Sequence, residues 1–234
     1  MLLRSLRPYI LKEYGSWTVL LLSYIAGLKM SGEAALSAVL GLVALSLYVN
    51  SKQCLALWLK KKGHGPHLFI FIVQVVVASL IIIYLTLGSF VTLAPFALVP
   101  LLYALFFISG RGHKLYTEVI GFATLSLSSL IARFLTAGEL DIRLYVAVAV
   151  FFAAGVFKVR VQLRKGVRER FMMVAYVFFS LIVYYVCGLP VLIILPLSEN
   201  LLHSLTLYRV PLKVTGWIEV AKGVAFIVLL RNLF

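Results

Sequence analysis

Residues 67–87 read HLFIFIVQVVVASLIIIYLTL, a run of 21 residues without an acidic residue, a lysine or an arginine. After Gly88 and Ser89, a second run, FVTLAPFALVPLLYALFFI, occupies residues 90–108. A helix needs about 20 predominantly apolar residues to cross the hydrocarbon core of a bilayer. The two runs therefore predict two successive membrane-spanning helices, and they define the class of the protein.

The composition of the whole chain extends this conclusion. Of the 234 residues, 63% are hydrophobic and 13% are charged, whereas soluble domains carry about 25% charged residues. A water-soluble protein of this size leaves much of its surface exposed and could not cover so many apolar side chains. The same composition excludes a disordered chain and a small disulfide-rich module. The sequence therefore predicts an integral membrane protein.

Apolar segments recur along the entire chain, and nine can be separated. They are Tyr9–Lys29 (with its most apolar part at Trp17–Leu28), Glu33–Val49, His67–Leu87, Phe90–Ile108, Tyr116–Thr136, Leu144–Val159, Phe171–Cys187, Val191–Leu207 and Leu212–Leu230. The first follows basic residues and resembles a signal peptide, but no small-x-small cleavage site follows it. We predict an all-α polytopic membrane helical bundle of about nine transmembrane helices, forming one integral membrane domain over residues 1–234.

The distribution of basic residues predicts the orientation. With a cytoplasmic amino terminus, 17 lysines and arginines fall on the cytoplasmic side and 4 on the other, with Lys222 inside the last segment. Cytoplasmic loops carry such an excess. We expect a multi-pass protein of the cell membrane with its amino terminus inside and its carboxyl terminus outside. The net charge of +14 then indicates anionic headgroups as partners rather than nucleic acid.

Ionisable and amide side chains at membrane depth are costly, and they usually face a protein interior or a cavity. Eight such residues are predicted to line a ligand-binding pocket on the cytoplasmic side: Glu13, Asn50, Glu118, Arg160, Arg164, Glu199, His203 and Glu219. Glu219 and Lys222 are spaced i, i+3 and can form an ion pair on one helix face. Gln74 is predicted to bond a neighbouring helix. No pattern identifies a catalytic residue.

The densest charge in the chain is KVRVQLRKGVRER, residues 158–170. One interpretation is a juxtamembrane orientation signal that binds anionic lipid weakly. The other starts from Arg160 and Arg164, which lie one helical turn apart and could clamp a phosphate or a carboxylate.

No metal site or cofactor is predicted. Cys54 and Cys187 lie far apart and belong to no Cys or His cluster. Glu199 and His203 share a helix face, but they lack the matched second pair of a di-metal bundle.

A bundle of nine helices, with basic cytoplasmic loops after the second and the sixth helix, resembles the plan of UbiA-type intramembrane prenyltransferases. That resemblance implies two Asp-rich motifs holding Mg²⁺ and a prenyl diphosphate. In a motif starting at Asn50, however, the aspartate positions are occupied by Ser51, Cys54 and Trp58, and Asp141 is the only aspartate in the chain. Without these carboxylates the Mg²⁺ and diphosphate site of the transferases is not expected here.

Three short motifs resemble the YwiC-like family of small membrane proteins. Glu13-Tyr14-Gly15-Ser16-Trp17 is similar to the Glu-His-Gly-Ala-Trp start of that family, with Tyr14 in place of His. The stretch from Val159 to Arg164 is similar to its Val-Arg-x-x-x-Arg segment, and Gly216-Trp217-Ile218-Glu219 to its Gly-x-x-Glu. The resemblance implies the architecture, and it implies no particular reaction.

Three functions are compatible with these features of the sequence. In the first, the polar residues form a pocket for an anionic amphiphile with an isoprenoid or acyl tail; the arginines hold its head, and Glu13 or Glu118 acts as a base or a hydrogen-bond partner. The second is a transporter of a small or lipidic solute. The third is a non-enzymatic assembly partner of membrane complexes.

Overall fold

The structure, a computed structural model, describes residues 11, 13–29, 34–60, 66–208 and 210–234. Several predictions concern residues outside these ranges. They are the charges of Arg4, Arg7, Lys12, Lys61, Lys62 and Arg209, and the starts of the first two predicted segments.

The described residues form nine helical segments and contain no strand, and each segment coincides with one predicted from the sequence. We number them α1 (Tyr14–Gly27), α2 (Ala35–Lys60), α3 (His67–Leu85), α4 (Phe90–Arg111), α5 (Leu115–Ala137), α6 (Ile142–Arg164), α7 (Val167–Val186), α8 (Val191–Thr206) and α9 (Leu212–Leu233). The predicted all-helical architecture is confirmed.

Within the described chain, the six helices α2 to α7 are long and apolar enough to cross a membrane. The other three fall short for different reasons. Helix α1 has only 14 described residues. Helix α8 begins as a 3₁₀ helix containing Pro196 and becomes α-helical only at Ser198. Helix α9 is 22 residues long but carries four charged residues, Lys213, Glu219, Lys222 and Arg231.

Three helix boundaries differ from the prediction by four residues or more, and one of them is the end of α6, which lies at Arg164 instead of Val159. Helix α2 continues beyond Val49 to Lys60, because Asn50, Lys52 and Gln53 are polar but carry no signal that ends a helix. Helix α7 begins at Val167, just after Gly166, instead of at Phe171. These three helices therefore extend past their apolar cores.

Helix α6 is the centre of the bundle. Of its most apolar 18-residue stretch, 56% is buried, against 11% for α3 and 6% for α4. Phe151 of α6 stacks on Phe226 of α9, with ring centroids 4.0 Å apart. The hydroxyl of Tyr184 on α7 donates to the carbonyl of Ala147 at 2.7 Å. The apolar core thus lies where α6, α7, α8 and α9 meet.

The two ends of the bundle can be distinguished by contacts. Lys29, after α1, pairs with Glu139, after α5, at 3.1 Å. Arg231, near the end of α9, donates to the carbonyl of Ile25 on α1 at 3.0 Å. Glu13, before α1, pairs instead with Lys52 of α2. The start of α1 and the end of α9 therefore lie at opposite ends of the bundle.

Small residues let α1 and α5 approach closely. A Cβ on Gly27 would overlap the backbone carbonyl of Ser129. The adjacent hydroxyl of Ser128 donates to the carbonyl of Leu20 at 3.1 Å. Such contacts are typical of helix packing in membranes, where small side chains allow backbones to meet.

Replacing Gly27 with alanine should lower the free energy of unfolding by about 1–3 kcal/mol, because the added methyl group meets fixed backbone. Denaturation in mixed micelles measures this change. Gly216→Ala is the matched control, since a Cβ there has no neighbour within 4 Å and should leave stability unchanged or slightly higher. Equal stability of the two variants would contradict the packing described here.

Candidate functional site

Four ionised side chains meet inside the bundle: Lys158 of α6, Glu199 of α8, and Glu219 and Lys222 of α9. We call them the ionic cluster. The Nζ atom of Lys158 lies 2.6 Å from Glu199 and 2.9 Å from Glu219. The Nζ atom of Lys222 lies 2.9 Å and 2.6 Å from the same two carboxylates. Each lysine therefore contacts both glutamates.

The lysines of the ionic cluster are buried, its glutamates are half-buried, and its charges balance. The lysine side chains are 2% and 8% exposed, and those of the glutamates 24% and 29%. Lys222 lies ten residues into α9, a rise of about 15 Å along the helix. Single charges at such a position are costly. Two positive and two negative charges in contact reduce this cost, and they join three helices.

Neutral polar groups complete the surroundings of the cluster. Asn200 accepts a hydrogen bond from Lys222, and the hydroxyl of Tyr208 donates to Glu199. The ring of His203 meets that of Tyr208 edge-on, with centroids 4.7 Å apart. Burial, together with the Glu199 carboxylate, raises the pKa of Tyr208. Tyr208 therefore stays protonated and keeps donating to Glu199.

The sequence revealed only part of this cluster. The predicted ion pair between Glu219 and Lys222 is confirmed. In the sequence, Lys158 belongs to the basic run at residues 158–170. Ala154 and Val161, which lie on the same helix face at i−4 and i+3, are apolar and buried, and they were the available signal that this lysine points inward. The pairing of Lys158 with α8 and α9 joins residues 41 and 61 positions apart, which no local pattern predicts.

Replacing Lys158 with methionine should lower the free energy of unfolding by about 3–5 kcal/mol, because the two carboxylates then share one lysine. Lys29→Met is the control, since its ion pair with Glu139 is exposed and is worth about 0–1 kcal/mol. The double variant Lys158→Met, Glu199→Gln restores neutrality and should recover part of the loss. Equal effects of the two single lysine variants would show that the cluster does not stabilise the bundle.

A cavity of about 430 Å³ lies beside the cluster, where the end of α6, the end of α8 and the start of α9 meet. We call it the Gln162 cavity. Its walls combine apolar and polar side chains: Val161, Gln162, Leu163, Lys165, His203, Leu207, Tyr208, Val210, Pro211 and Leu212. Lys165, just after α6, has a left-handed backbone conformation (φ 55°), and its backbone N–H donates to Val161.

Two residues of the cavity wall carry buried polar atoms without a hydrogen-bond partner. They are Oε1 of Gln162 and Nδ1 of His203. The amide nitrogen of Gln162 donates to the carbonyl of Val210 at 2.8 Å, which fixes the amide. Buried polar atoms are nearly always bonded, and an unpartnered one indicates a missing water or ligand. The wall can therefore hold a polar group that enters the cavity.

Other predicted site residues lie on a different face of α6. Arg160 contacts Glu118 of α5 at 2.8 Å and donates to the carbonyl of His113 at 2.9 Å. Two residues along a helix correspond to a rotation of about 200°, so that Lys158 and Arg160 point to opposite flanks. Arg164 pairs instead with Glu169 at 3.5 Å. Each of the two arginines thus has its own carboxylate.

A third group lies at the start of α1. Glu13 pairs with Lys52 at 2.6 Å, and Asn50 accepts a hydrogen bond from the backbone N–H of Leu11 at 2.9 Å. Burial opposes ionisation of Glu13, but Lys52 and the Ser16 hydroxyl outweigh it, and the pKa of Glu13 lies below its ordinary value. This group connects α1 to α2.

The eight predicted site residues thus fall into separate groups. Glu199, His203 and Glu219 belong to the ionic cluster or contact its surroundings. Glu118 pairs with Arg160, Arg164 with Glu169, and Glu13 and Asn50 lie by α1. Gln162, Lys165 and Tyr208, which line the cavity, were not among the candidates. Within the described ranges no group of three or more His, Cys, Asp or Glu residues is placed to hold a metal ion.

The apolar helices and their buried charges define an α-helical membrane protein. The chain belongs to the YwiC-like family: the family model described as YwiC-like protein matches residues 10–133, just over half of its length. This confirms the resemblance to the YwiC-like family, and of the three motifs only Glu13–Trp17 lies within the matched residues. No curated protein and no solved structure matches the chain. The four residues of the ionic cluster and the walls of the Gln162 cavity lie beyond the matched region.

Proposed function

We propose that the protein binds an anionic amphiphile of the membrane, with the head of the ligand in the Gln162 cavity. The observation that carries this proposal is the pair of buried, unpartnered polar atoms on Gln162 and His203 in the cavity wall. These two atoms can form hydrogen bonds with the head group, because neither of them is bonded to another described group. Lys165 supplies a positive charge on the same wall.

The remaining walls suit the apolar part of such a ligand. Leu163, Leu207 and Leu212 line the cavity beside the polar groups. Ligand sites commonly combine apolar walls with a few placed polar groups. The cavity lies at the end of α6, one of the helices able to cross a membrane. An amphiphile could therefore enter with its tail still among apolar surroundings.

In this proposal the ionic cluster supports the cavity and does not itself bind the ligand. It holds α8 and α9 against α6, and through Tyr208 it reaches the cavity wall. His203 contacts the ligand, while Glu199 and Glu219 position the wall. Arg160 with Glu118, Arg164 with Glu169, and Glu13 and Asn50 hold neighbouring helices together. The sequence predicted that Glu13, Asn50, Glu118, Arg160 and Arg164 contact the ligand directly. We do not propose such a contact for these residues.

Lys165→Gln should weaken binding of anionic phospholipid by about three- to tenfold, because one charge-assisted contact is lost. Lys213→Gln removes the same charge from the first turn of α9, outside the cavity wall, and should change binding little. Titration of the purified protein in neutral-lipid nanodiscs with anionic phospholipid measures both affinities. Equal losses would indicate general surface attraction and overturn the proposed cavity.

We propose that all nine helical segments cross the plasma membrane as one domain, following the general plan of UbiA-type enzymes, with the amino terminus in the cytoplasm. The opposite positions of the start of α1 and the end of α9 support an odd number of crossings. The distribution of basic residues supports the orientation.

A reporter fused after Phe234 tests this topology. Alkaline phosphatase, which needs the outer compartment, should be active there, and a fluorescent protein that folds only inside should be dark. Fusions in the connection after Arg164 should give the reverse result. A cytoplasmic carboxyl terminus would contradict the proposed number of crossings.

A second candidate function is that of an assembly partner for other membrane proteins. The observation that favours it is the small buried share of α3 and α4, 11% and 6% of their apolar stretches. These two helices could contact another protein instead of lipid. Tryptophan substitutions on their exposed faces, at Val76 and Leu101, should then displace a co-purified protein while leaving lipid binding intact.

A further inference from the structure

We infer that the head group bound in the Gln162 cavity is a phosphodiester that carries free hydroxyl groups, of the glycerol type. This inference rests on the proposed function and specifies its ligand class. It follows from the hydrogen-bonding character of three groups in the cavity wall: Gln162, His203 and Lys165. Together they require a negative charge and at least one hydrogen-bond donor on the same ligand.

The amide of Gln162 has a defined orientation. Its Nε2 donates to the carbonyl of Val210, and the reverse orientation would place two oxygens against each other. The Oε1 atom is therefore the free end, buried and without a partner. An amide oxygen only accepts hydrogen bonds. The ligand must present a donor at this position, and a fully deprotonated anion has none.

His203 adds a requirement that a hydroxyl group fulfils. Its Nδ1 is buried and unpartnered, and the residue as a whole is 4% exposed. In a neutral imidazole this nitrogen either donates or accepts, according to the tautomer. A hydroxyl both donates and accepts, so that it satisfies either tautomer. A second hydroxyl, as in glycerol, matches the second unpartnered atom.

Lys165 determines the charge of the ligand. It is the cationic side chain in the cavity wall within the described part of the chain, and an ammonium group binds phosphate oxygens well. The neighbouring ionic cluster is neutral, so that it neither repels the phosphate nor replaces Lys165. Tyr208 already donates to Glu199 and is not available as a donor to the ligand. A choline head, which lacks donors, would leave Gln162 unpartnered.

The experiment compares two lipids of equal charge, one with hydroxyl groups on its head and one without them. Phosphatidylglycerol and phosphatidylmethanol, with identical acyl chains, each carry one phosphodiester charge. We expect the protein in neutral-lipid nanodiscs to bind phosphatidylglycerol about fivefold more tightly, because an unsatisfied buried acceptor costs affinity. In Gln162→Met this preference should become smaller, because only His203 can still bond a hydroxyl, while binding of phosphatidylmethanol stays within about twofold.

A second comparison needs no variant and guards against a misfolded Gln162→Met protein. Phosphatidylglycerol with both head hydroxyls methylated should bind like phosphatidylmethanol. Equal binding of all three lipids, with dependence on Lys165, would leave the proposed function standing and overturn the hydroxyl requirement. No measurable binding of any of them would overturn the proposed function itself.

The same hydroxylated phosphodiester could come from a lipid or from a soluble molecule. Glycerophosphoglycerol, which has the same head without acyl chains, separates the two sources. We expect it to bind at least tenfold more weakly than the lipid, because it loses the apolar contacts. Equal affinity would confirm the head chemistry and overturn the assignment to an amphiphile.

Discussion

The ionic cluster is the constraint on which the carboxyl-terminal half of the protein depends. Lys158, Glu199, Glu219 and Lys222 belong to three helices, and none of these charges is tolerable alone in an apolar interior. Each lysine contacts both carboxylates, so that the charges balance only when α6, α8 and α9 are in place together. This condition, together with the burial of Ile193, Ile194 and Leu197, holds the short helix α8 in place. Its 3₁₀ start and Pro196 weaken its own backbone bonding.

The Gln162 cavity is a consequence of the same arrangement. The charges hold α8 and α9, and the connection between these helices passes over the end of α6. In this connection Tyr208 bonds Glu199, and Val210 bonds Gln162. The two unpartnered atoms remain beside this connection. The cluster contributes no net charge, so that in the proposed function Lys165, among the described residues of the wall, sets the charge preference of the cavity. Stability and ligand binding are thus assigned to neighbouring but different residues.

The other charged pairs have a simpler role. Glu13 with Lys52, and Glu118 with Arg160, join neighbouring helices, as does Lys29 with Glu139 at the opposite end of the bundle. Among these pairs Lys29 and Glu139 are both exposed, and the energy of such an exposed pair is small. The two arginines of the basic run were expected to clamp one anion. Instead each binds a carboxylate of the protein, because Glu118 and Glu169 lie within reach after folding.

The sequence by itself determined the membrane class, the nine helical segments and the pairing of Glu219 with Lys222. The physical reason is that apolar length and i, i+3 spacing are local properties. Only the tertiary structure decided that Lys158 faces Glu199 and Glu219, and that Gln162 and His203 share a cavity. These contacts join residues 41 to 61 positions apart, and they depend on how α6, α8 and α9 rotate against one another. Rotation is set by packing and by the balance of buried charge, neither of which appears in the local order of residues.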